Sequence, residues 1–436
     1  MDIRKIVKKV IPTGLFPAIE PYGHLGEAVL LNTINGFPGR GMKVIGVTGT
    51  NGKTSTTYMI HRMLHEAGYK TGFMTTVAYG AGRKVQPQMH HMTSVSQPEL
   101  MKRLKWMRGQ GVEWLVLETT SQALAQNRVW GVPYSVAVMT NLTEDDSGWH
   151  KSFEDYRKAK VKLFELAAKN KKGLRTGIVN AEDPSVSHFA GAVPFPITYG
   201  LKEGQLQATD IVSTPHGSTF IAKYESRELN IKVNLPGSFN ISNALAAVGA
   251  GIAVGLTDEQ IEKGIAALEG VEGRMTTIEE GQDFSVIVDF AHTPDAFEKL
   301  FKDLRPVVKG KLIVMFGSAG RRDEKKRGVQ GRLAGKYADE VIVTEEDDRD
   351  ADGYHIMEQI AQGAEKEGKV RERDLFLIHD RTEAITYAIK RAGKGDTVLL
   401  LGKGHEKTIE RKDGEHKWDE IGTAHKAVIS LKRTPK

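Results

Sequence analysis

The sequence predicts an α/β protein with two successive domains, each built on a mainly parallel β-sheet. Short apolar runs alternate with stretches of helical periodicity, and this alternation starts twice along the 436 residues. Strands separated by helices pair in parallel, because the connecting helix returns the chain to the same end of the sheet. A linker-like GVEGR at 270–274 divides the two regions. We therefore predict a short segment at 1–41, a central domain at 42–272 and a C-terminal domain at 273–436.

Local patterns predict the individual elements in order. In the central domain the predicted strands are 43–48, 112–118, 134–140 and 176–180, and the predicted helices are 53–67, 153–169, 238–254 and 257–268. Three β-rich runs between 204 and 235 have no helix between them, which predicts antiparallel strands at a sheet edge. In the C-terminal domain the predicted strands are 285–289, 311–316, 340–344, 374–378 and 397–401. Helices between these strands predict a second, independent α/β unit.

Composition excludes several classes of protein. Hydrophobic residues make up 40% and charged residues 27%, which is typical of globular domains. The chain has no cysteine, so disulfide frameworks, thiolate metal sites and cysteine nucleophiles are excluded. The formal net charge of +6 is spread along the chain and suits small anionic substrates. No element concentrates basic and aromatic residues as nucleic-acid binders do, so we expect no nucleic-acid partner.

The N-terminus is basic (MDIRKIVKKVIP), with Ile3, Ile6, Val7 and Val10 at helical spacing. No small-residue cleavage site follows, which argues against a signal peptide. We expect a helix packed on the body of the protein, and a membrane-surface helix is the alternative. No apolar run reaches the roughly 18–20 residues that span a bilayer. We therefore expect a cytoplasmic monomer without membrane contact.

A glycine-rich loop between a strand and a helix predicts a phosphate site. Residues 46–54 read GVTGTNGKT, although Val47 occupies the position of the first glycine in the common G-x-x-x-x-G-K-[ST] pattern. The glycines let backbone N–H groups turn inward, and the following helix adds its positive N-terminal end. The flanking elements disfavour an incidental glycine-rich turn. The predicted ATP-contacting residues here are Gly49, Thr50, Asn51, Gly52, Lys53, Thr54 and Ser55, with the Thr54 hydroxyl also on Mg²⁺.

The run TGTNGKTS resembles the nucleotide loop of the Mur ligases, which assemble the peptidoglycan stem peptide, and of their folylpolyglutamate synthase relatives. Further motifs extend this resemblance over about 42–436. It implies a central P-loop ATPase domain followed by a Rossmann-like ligase domain. It also implies ATP and Mg²⁺, and small-molecule substrates joined through an acyl phosphate.

An acidic and lysine site follows from three further motifs. Glu118, in LETTSQAL, ends an apolar strand. It resembles the glutamate of the family's E-V-S-S-H-A-L motif, which ligates Mg²⁺. The alternative is a carboxylate at a strand end that is only solvated. In TNLTEDDSGWH, His150 matches the family pattern, and Asp146 stands where a metal-binding histidine is usual. Lys160 falls on the family's Y-x-x-A-K lysine, which is commonly carbamylated; a plain surface lysine is the alternative. The resemblance implies catalytic Lys53, Glu118, His150 and Lys160, and metal-binding Thr54, Glu118, Asp146 and Lys160.

Other matches concern the nucleotide. Asn240 and Asn243, in LPGSFNISNALAA, resemble amides placed near the base or ribose, although asparagine in a first helical turn is otherwise a cap. Arg274 resembles the family's hinge arginine near ATP. Asp289 and His292, in DFAHTPD, resemble a turn whose aspartate accepts hydrogen bonds from ribose hydroxyls. These five residues complete the predicted nucleotide site.

GKGHE at 402–406, together with DFAHTPD, resembles the branch of the family that adds a diamino acid. The resemblance implies that Arg322, Gly402 and Glu406 hold that amino acid. Where this branch usually carries D-N-P-R, the sequence reads TEEDDRD. Arg349 remains and could pair a carboxylate, whereas the added acids favour an amine. Both diaminopimelate and lysine therefore stay open.

Recognition of the acceptor's uracil and of much of its sugar is predicted to be reduced, supplied elsewhere or absent. The branch usually begins with a domain that binds the UDP-sugar, whereas only about 41 residues precede the loop here. The resemblance still implies acceptor contacts by Thr93, Ser94, Thr120, Gln126 and Arg128. The function implied is addition of a diamino acid to UDP-N-acetylmuramoyl-L-Ala-D-Glu. Two alternatives stay open: a related ligase with another carboxylate acceptor, and a non-catalytic nucleotide-binding partner protein.

Overall fold

The computed structural model describes residues 16–82, 84–88, 94–143, 150–214 and 217–432, and it contains two large sheets with helices on their faces. The helices are α1 (Phe16–Ile34), α2 (Lys53–Glu66), α3 (Gln97–Gly109), α4 (Ser121–Ala125), α5 (Phe153–Lys169), α6 (Val186–Ala190), α7 (Ser238–Val254), α8 (Asp258–Ala266), α9 (Pro294–Leu304), α10 (Lys325–Tyr337), α11 (Gly353–Glu365), α12 (Arg381–Arg391) and α13 (Glu420–Lys432).

The first sheet has eleven strands in the order β11-β10-β9-β8-β7-β6-β1-β5-β2-β3-β4. These strands are β1 (Lys43–Thr48), β2 (Thr71–Met74), β3 (Ala78–Ala81), β4 (Lys84–Pro87), β5 (Trp114–Glu118), β6 (Tyr134–Met139), β7 (Thr176–Asn180), β8 (Phe195–Gly200), β9 (Leu206–Thr214), β10 (Gly217–Tyr224) and β11 (Arg227–Val233). Neighbouring strands in the run β9-β8-β7-β6-β1-β5-β2 pair in parallel. Strands β9, β10 and β11 form the antiparallel edge that the sequence predicted. A second antiparallel edge, β2–β3–β4, was not predicted.

The second sheet has the order β12-β13-β17-β14-β15-β16, and all its pairs are parallel except β12–β13. Its strands are β12 (Thr276–Ile278), β13 (Ser285–Asp289), β14 (Leu312–Phe316), β15 (Glu340–Val343), β16 (Leu375–Leu377) and β17 (Thr397–Leu401); β18 (Thr408–Arg411) and β19 (Gly414–Lys417) form a separate hairpin. The predicted α/β class with two mainly parallel sheets is confirmed, while the predicted domain limits stay predictions.

Apolar strands explain why both sheets are buried. Strands β1, β5 and β6 bury nearly every residue, because helices cover both faces of a parallel sheet. Separate hydrophobic clusters fill the two faces of each sheet. Among the described helices, none combines the length and the apolar character that a bilayer crossing requires.

The topology brings the predicted motifs together. Strand β1 pairs in parallel with β5 on one side and β6 on the other, so the carboxyl ends of the three strands lie side by side. The loop after β1, Glu118 at the end of β5 and Thr140 after β6 therefore converge at one edge of the sheet. Ligands of open α/β sheets bind at this edge.

Candidate active site

The phosphate loop (residues 48–55) adopts a conformation that requires its glycines. Gly49 has φ +150° and Gly52 has φ +81°. A Cβ atom on Gly49 would lie 1.8 Å from Thr140 Oγ1, so a larger residue cannot be accommodated. The Lys53 ammonium folds back over the loop and donates to the carbonyl oxygens of Gly49 (3.0 Å) and Thr50 (2.7 Å). The loop and its lysine therefore form a compact turn, and its binding of phosphate stays a prediction.

The residues after β6 hold this loop in place. Asn141 accepts from Thr50 N through its carbonyl oxygen (2.8 Å) and from Asn51 N through Oδ1 (2.9 Å). The Thr140 hydroxyl donates to the Asn51 carbonyl oxygen at 2.6 Å. Sequence analysis assigned no role to Thr140 or Asn141. Their place directly after a buried strand next to β1 is the signal that could have revealed them.

Glu118 is buried and forms the acidic centre of the site. Its Oε2 accepts from Thr54 Oγ1 at 3.0 Å, so two predicted metal ligands lie together. Thr76, which the sequence analysis missed, donates from its backbone N to Oε2 and from Oγ1 to Oε1, each at 3.1 Å. From the C-terminal domain, Arg274 Nη2 lies 3.4 Å from Thr54 Oγ1. The predicted metal site is thus preorganised around one carboxylate.

Lys160 is a buried lysine on α5 that reaches the same loop. Its Nζ donates to the Gly49 carbonyl oxygen at 2.7 Å and lies 4.5 Å from the ring centroid of Tyr156. The structure therefore places it at the phosphate loop and not on the surface. His150 lies beside it, with its ring edge-on to Tyr156 at 5.2 Å and Nε2 2.9 Å from Ser121 Oγ. Asp146 lies outside the described residues.

A cavity of about 730 Å³ opens between the two domains over the phosphate loop. It is large enough for a nucleotide-sized ligand. Its walls include most of the predicted nucleotide residues: Thr50, Asn51, Gly52, Lys53, Thr54, Ser55, Asn240, Asn243, Arg274, Asp289 and His292, together with Glu118 and Glu406. Gly49 lies at the back of the loop.

The two asparagines of α7 do not cap their helix. The N-cap is Gly237, and the side chains instead bond in series, with Asn243 Nδ2 donating to Asn240 Oδ1 at 3.0 Å and Asn240 Nδ2 donating to the Pro236 carbonyl oxygen at 2.7 Å. A Cβ atom on Gly52 would lie 2.1 Å from Asn243 Oδ1. The Asn243 amide therefore lies against the phosphate loop, and Asn240 connects it to Pro236.

Arg274 and Asp289 form the C-terminal wall of the cavity. Asp289 accepts from the backbone N of Met275 and of Ala291, both at 2.8 Å. Burial raises the pKa of Asp289, an effect that the nearby Arg274 opposes. Burial likewise lowers the pKa of Arg274, against the attraction of Asp289, Glu118 and Glu406. The guanidinium also lies 4.5 Å from the Phe290 ring centroid. His292 Nδ1 is 3.0 Å from the carbonyl oxygen of Phe290, which fits an orienting role.

Three of the residues predicted to hold the amino acid, Arg349, Gly402 and Glu406, lie in a second cluster in the C-terminal domain. Arg349 donates from Nε to Glu410 Oε2 at 2.8 Å and from Nη1 to the Gly320 carbonyl oxygen at 2.6 Å. Glu406 pairs with buried Lys403 at 2.7 Å. Gly402 has φ +103° and packs against Glu346, whose pKa is raised by burial. Arg322 is exposed.

The predicted acceptor residues form a third cluster beside α4. Ser94 Oγ accepts from Thr120 Oγ1 at 3.0 Å, and the Ser94 carbonyl oxygen accepts from Arg128 Nη1 at 2.5 Å. Gln126 and Arg128 are both buried. Thr93 lies outside the described residues. These two contacts join Thr120 and Arg128 to Ser94, which is their common partner.

The fold and site define a two-domain nucleotide-binding protein with its phosphate loop, acidic centre and second domain facing one cavity. Residues 47–251 match the profile of the Mur ligase middle domain, and residues 273–404 match that of the Mur ligase, glutamate ligase domain. The chain belongs to the Mur ligase family, and it is an ATP-dependent ligase that forms a C–N bond.

Named relatives agree with this assignment. The chain is 40% identical over 431 residues to the UDP-N-acetylmuramyl-tripeptide synthetase of Roseiflexus sp. (strain RS-1), covering 95% of this chain and 84% of the relative. It is 38% identical to the UDP-N-acetylmuramoyl-L-alanyl-D-glutamate--2,6-diaminopimelate ligase of Syntrophomonas wolfei, covering 87% and 76%. A solved structure of a ligase with the latter name aligns with a TM-score of 0.62 and 28% identity, covering 91% of this chain and 80% of that chain.

The fold also extends to more distant ligases. Folylpolyglutamate synthase of Mycobacterium tuberculosis aligns with a TM-score of 0.68 at 16% identity, covering 94% of this chain and 96% of that chain. At this identity the likeness concerns the fold alone.

Proposed function

We propose that this protein adds a diamino acid, diaminopimelate or lysine, to UDP-N-acetylmuramoyl-L-Ala-D-Glu in the cytoplasm, which is the MurE step of peptidoglycan precursor synthesis. The observation that carries the proposal is one cavity lined by Lys53, Thr54 and Glu118 from one domain and by Arg274 and Glu406 from the other. The names of the relatives support the choice of substrates.

The residues around the phosphate loop suit the first half of such a reaction. An acceptor carboxylate oxygen attacks the γ-phosphorus of ATP, the bond to the β-phosphate oxygen breaks, and ADP and an acyl phosphate result. The Lys53 ammonium and the inward N–H groups of the loop stabilise charge on the transferred group. Arg274 adds a second positive charge from the C-terminal domain, with its Nη2 atom 3.4 Å from Thr54 Oγ1.

The C-terminal domain suits the second half. A neutral amine attacks the acyl carbon, the C–O bond to phosphate breaks, and the amine proton leaves to solvent or to a nearby base. The products are an amide, ADP and phosphate. Closure of the cavity excludes water, which would otherwise hydrolyse the acyl phosphate. Glu406, which pairs with Lys403, lines the cavity from the C-terminal domain.

The residues present fit a magnesium ion. Thr54 Oγ1 and Glu118 Oε2, 3.0 Å apart, are the hard oxygen donors that Mg²⁺ prefers. Bound there, the ion would neutralise charge on phosphate oxygens. We further propose that Lys160 is carbamylated, since its neutral amine can add CO₂ and lose a proton to become an anion close to this site. A ¹³C NMR signal from protein equilibrated with ¹³C-bicarbonate, absent in Lys160→Gln, tests this.

The test of the function is amine-dependent ADP release over a panel of acceptors. Lys53→Met should lower turnover at least about 100-fold, because the transferred phosphoryl group loses its cation. Lys105→Met, on the exposed face of α3, is the control and should keep wild-type turnover. Turnover with a folate or a sugar-free peptide, but not with the UDP-linked dipeptide, would assign the protein to another branch of the family. ATP hydrolysis that depends on no acceptor and no amine would support the non-catalytic interpretation.

A further inference from the structure

A buried lysine stands between two carboxylates just after β17. The ammonium nitrogen of Lys403 lies 2.8 Å from Asp347 Oδ1 and 2.7 Å from Glu406 Oε2. The Lys403 side chain has no exposed surface, whereas Glu406 lines the cavity between the domains. Burial lowers the pKa of Lys403, but the Glu406 and Asp347 carboxylates outweigh burial and raise the pKa overall, so the amine is charged. The ammonium therefore joins a buried carboxylate to one that lines the cavity.

Asp347 is a fixed anchor for this ammonium. Its Oδ1 accepts from Lys403 Nζ at 2.8 Å and from the backbone N of Glu410 at 2.9 Å. Its backbone carbonyl oxygen accepts from Gly320 N at 2.8 Å. Hydrogen bonds from three other segments thus hold Asp347, and its position does not depend on a substrate.

The turn that carries Glu406 is closed by its own backbone. Glu406 N donates to the Lys403 carbonyl oxygen at 2.9 Å. Between them, Gly404 has φ +50°, and a Cβ atom there would lie 2.8 Å from Phe290 Cβ, so the turn packs closely on its neighbour. The backbone of Glu406 is therefore fixed, and the ion pair with Lys403 restricts the rotation of its side chain.

The charges around Lys403 suit one further cation. Asp347 and Glu406 carry two negative charges against the single positive charge of Lys403. Buried Glu346 lies beside Gly402, and burial raises the pKa of Glu346. Even with Glu346 neutral, the group keeps one negative charge in excess, and such a charge is costly to bury without a counter-charge. The ammonium of a substrate provides that counter-charge.

We propose that Lys403 is a positioning residue for amide formation: anchored by Asp347, its ammonium holds the Glu406 carboxylate in the orientation that receives an ammonium of the incoming amino acid. The inference rests on the proposed function, because it takes Glu406 as a contact of the amino acid. It goes beyond that function by assigning a role to a side chain that does not line the cavity. It also limits this role to the second half of the reaction.

The two halves of the reaction can be measured separately. Hydroxylamine in place of the amino acid traps the acyl phosphate, because its nitrogen attacks the acyl carbon, releases phosphate and leaves a hydroxamate. Lys403→Met should form hydroxamate at the wild-type rate, since the phosphate loop and Glu118 are unchanged. Its KM for the amino acid (lysine or diaminopimelate, whichever the wild type uses faster) should rise about 10- to 50-fold, because Glu406 is no longer held toward the amine.

A double-variant cycle tests whether Lys403 acts through Glu406. Glu406→Gln should raise the same KM, and adding Lys403→Met to it should raise the KM no further, because both changes remove one contact. Asp347→Asn keeps an acceptor for Glu410 N but removes the anchoring charge, so it should give a smaller rise. Lys366→Met, exposed at the end of α11, is the control and should match wild type in both measurements.

A purely structural role gives a different pattern. Lys403→Met leaves two carboxylates without their cation, so its unfolding midpoint in urea should fall. Asp347→Asn in the same protein removes one of these charges and should recover part of the midpoint. The KM should stay high in this double variant, because Glu406 still has no partner. A KM that recovers together with the midpoint would show that Lys403 only stabilises the fold.

Two further results would overturn the proposal while leaving the ligase function intact. One is a loss of hydroxamate formation in Lys403→Met that equals the loss of amide formation. The other is a Glu406→Gln and Lys403→Met double variant whose KM rise is the product of the two single rises. Failure of the ligase function has a different signature: the wild-type protein shows no amine-dependent ADP release with any acceptor in the panel.

Discussion

At the scale of single residues, Arg349 is the position whose surroundings bear most directly on the choice of amino acid. Its guanidinium is paired with Glu410 at 2.8 Å and bonded to the Gly320 carbonyl oxygen at 2.6 Å. The positive charge of Arg349, which could bind a distal carboxylate of the substrate, is therefore already neutralised by Glu410. A substrate whose far end carries only an amine does not need that charge.

We expect Glu410→Gln to raise the kcat/KM for diaminopimelate relative to that for lysine. Removing the carboxylate frees Arg349 to pair with the distal carboxylate of diaminopimelate, and a partly exposed ion pair of this kind is worth about 0.5–1 kcal/mol. The ratio of kcat/KM for the two amino acids should therefore shift about 2- to 5-fold toward diaminopimelate. Steady-state kinetics with each amino acid measure this ratio.

The control lies in the same hairpin. Glu415→Gln removes an equal charge from β19, where the side chain accepts from the Thr408 hydroxyl at 2.9 Å. It should leave the ratio unchanged. An unchanged ratio in Glu410→Gln as well would mean that Arg349 does not face the amino acid.

Residue roles were predictable where a motif is contiguous and unpredictable where a partner comes from a distant part of the chain. The phosphate loop, Glu118 and the asparagines of α7 were assigned from their own short motifs. Thr76 stands 42 positions from Glu118, and Asn51 bonds to Asp295, 244 positions away. No local pattern distinguishes such a threonine or aspartate from any polar residue in a turn. These roles depend on tertiary contacts, which one sequence does not display.

At the scale of elements, a fully buried ion pair joins α12 to α13. Arg381 donates to Glu420 from Nε at 2.9 Å and from Nη2 at 2.6 Å, and neither side chain is exposed. The same guanidinium donates to the carbonyl oxygens of Glu345 (2.9 Å) and Leu401 (2.7 Å). It thus connects two helices with the end of β17, just before the turn that carries Gly402.

We expect Glu420→Ala to lower the free energy of unfolding of the C-terminal domain by about 3–5 kcal/mol. The substitution leaves a buried guanidinium without its counter-charge, which costs more than the pair itself contributes. Urea unfolding followed by circular dichroism measures the loss. Glu259→Ala breaks the exposed Glu259–Lys263 pair of α8 and should leave the free energy of unfolding almost unchanged, because solvent screens such a pair. Equal losses in the two variants would contradict the argument.

Elements were predicted best where periodicity and strand burial agree. Most strands of the parallel regions and helices such as α5 and α7 were predicted within a few residues, whereas β8 and β12 were not predicted. The strands β2, β3 and β4 and the hairpin β18–β19 were missed, because each is four residues long and partly polar. Such runs carry too few apolar positions to show a period of two. Their pairing is fixed by neighbouring strands and not by their own sequence.

At the scale of the whole molecule, the two domains meet through polar contacts around the cavity. Asn51 donates to Asp295 at 2.9 Å, the Ser238 hydroxyl donates to Asp303 at 2.9 Å, and Lys407 pairs with Glu272 at 2.5 Å. Contacts of this kind exchange easily with water, so the interface can open to admit substrates. The buried apolar clusters belong to one domain each, and Phe239 of α7 packs against the C-terminal cluster.

Stability of the whole molecule should fall as the pH drops below about 6.5, and His61 is one identifiable cause. Burial lowers the pKa of His61 to about 3, and the nearby His65 and Arg62 act in the same direction. His61 is thus neutral in the folded protein, packed 4.6 Å from the Phe73 ring. In the unfolded chain its pKa returns to about 6.5. Between these values the unfolded state binds a proton that the folded state does not, so stability rises with pH across this window.

Between pH 7 and pH 5, His61 should lower the free energy of unfolding by about 2 kcal/mol. The slope is about 1.4 kcal/mol per pH unit once His61 binds a proton in the unfolded chain. His61→Leu should abolish that part of the loss, because leucine binds no proton in either state. Urea unfolding at pH 7, 6 and 5 gives the slope for each protein. His188→Leu, at an exposed position on α6, removes a histidine that is solvated in both states and should keep the wild-type slope. If His61→Leu retained that slope too, the acid sensitivity would have to come from carboxylates or from His405, whose pKa burial also lowers to about 3.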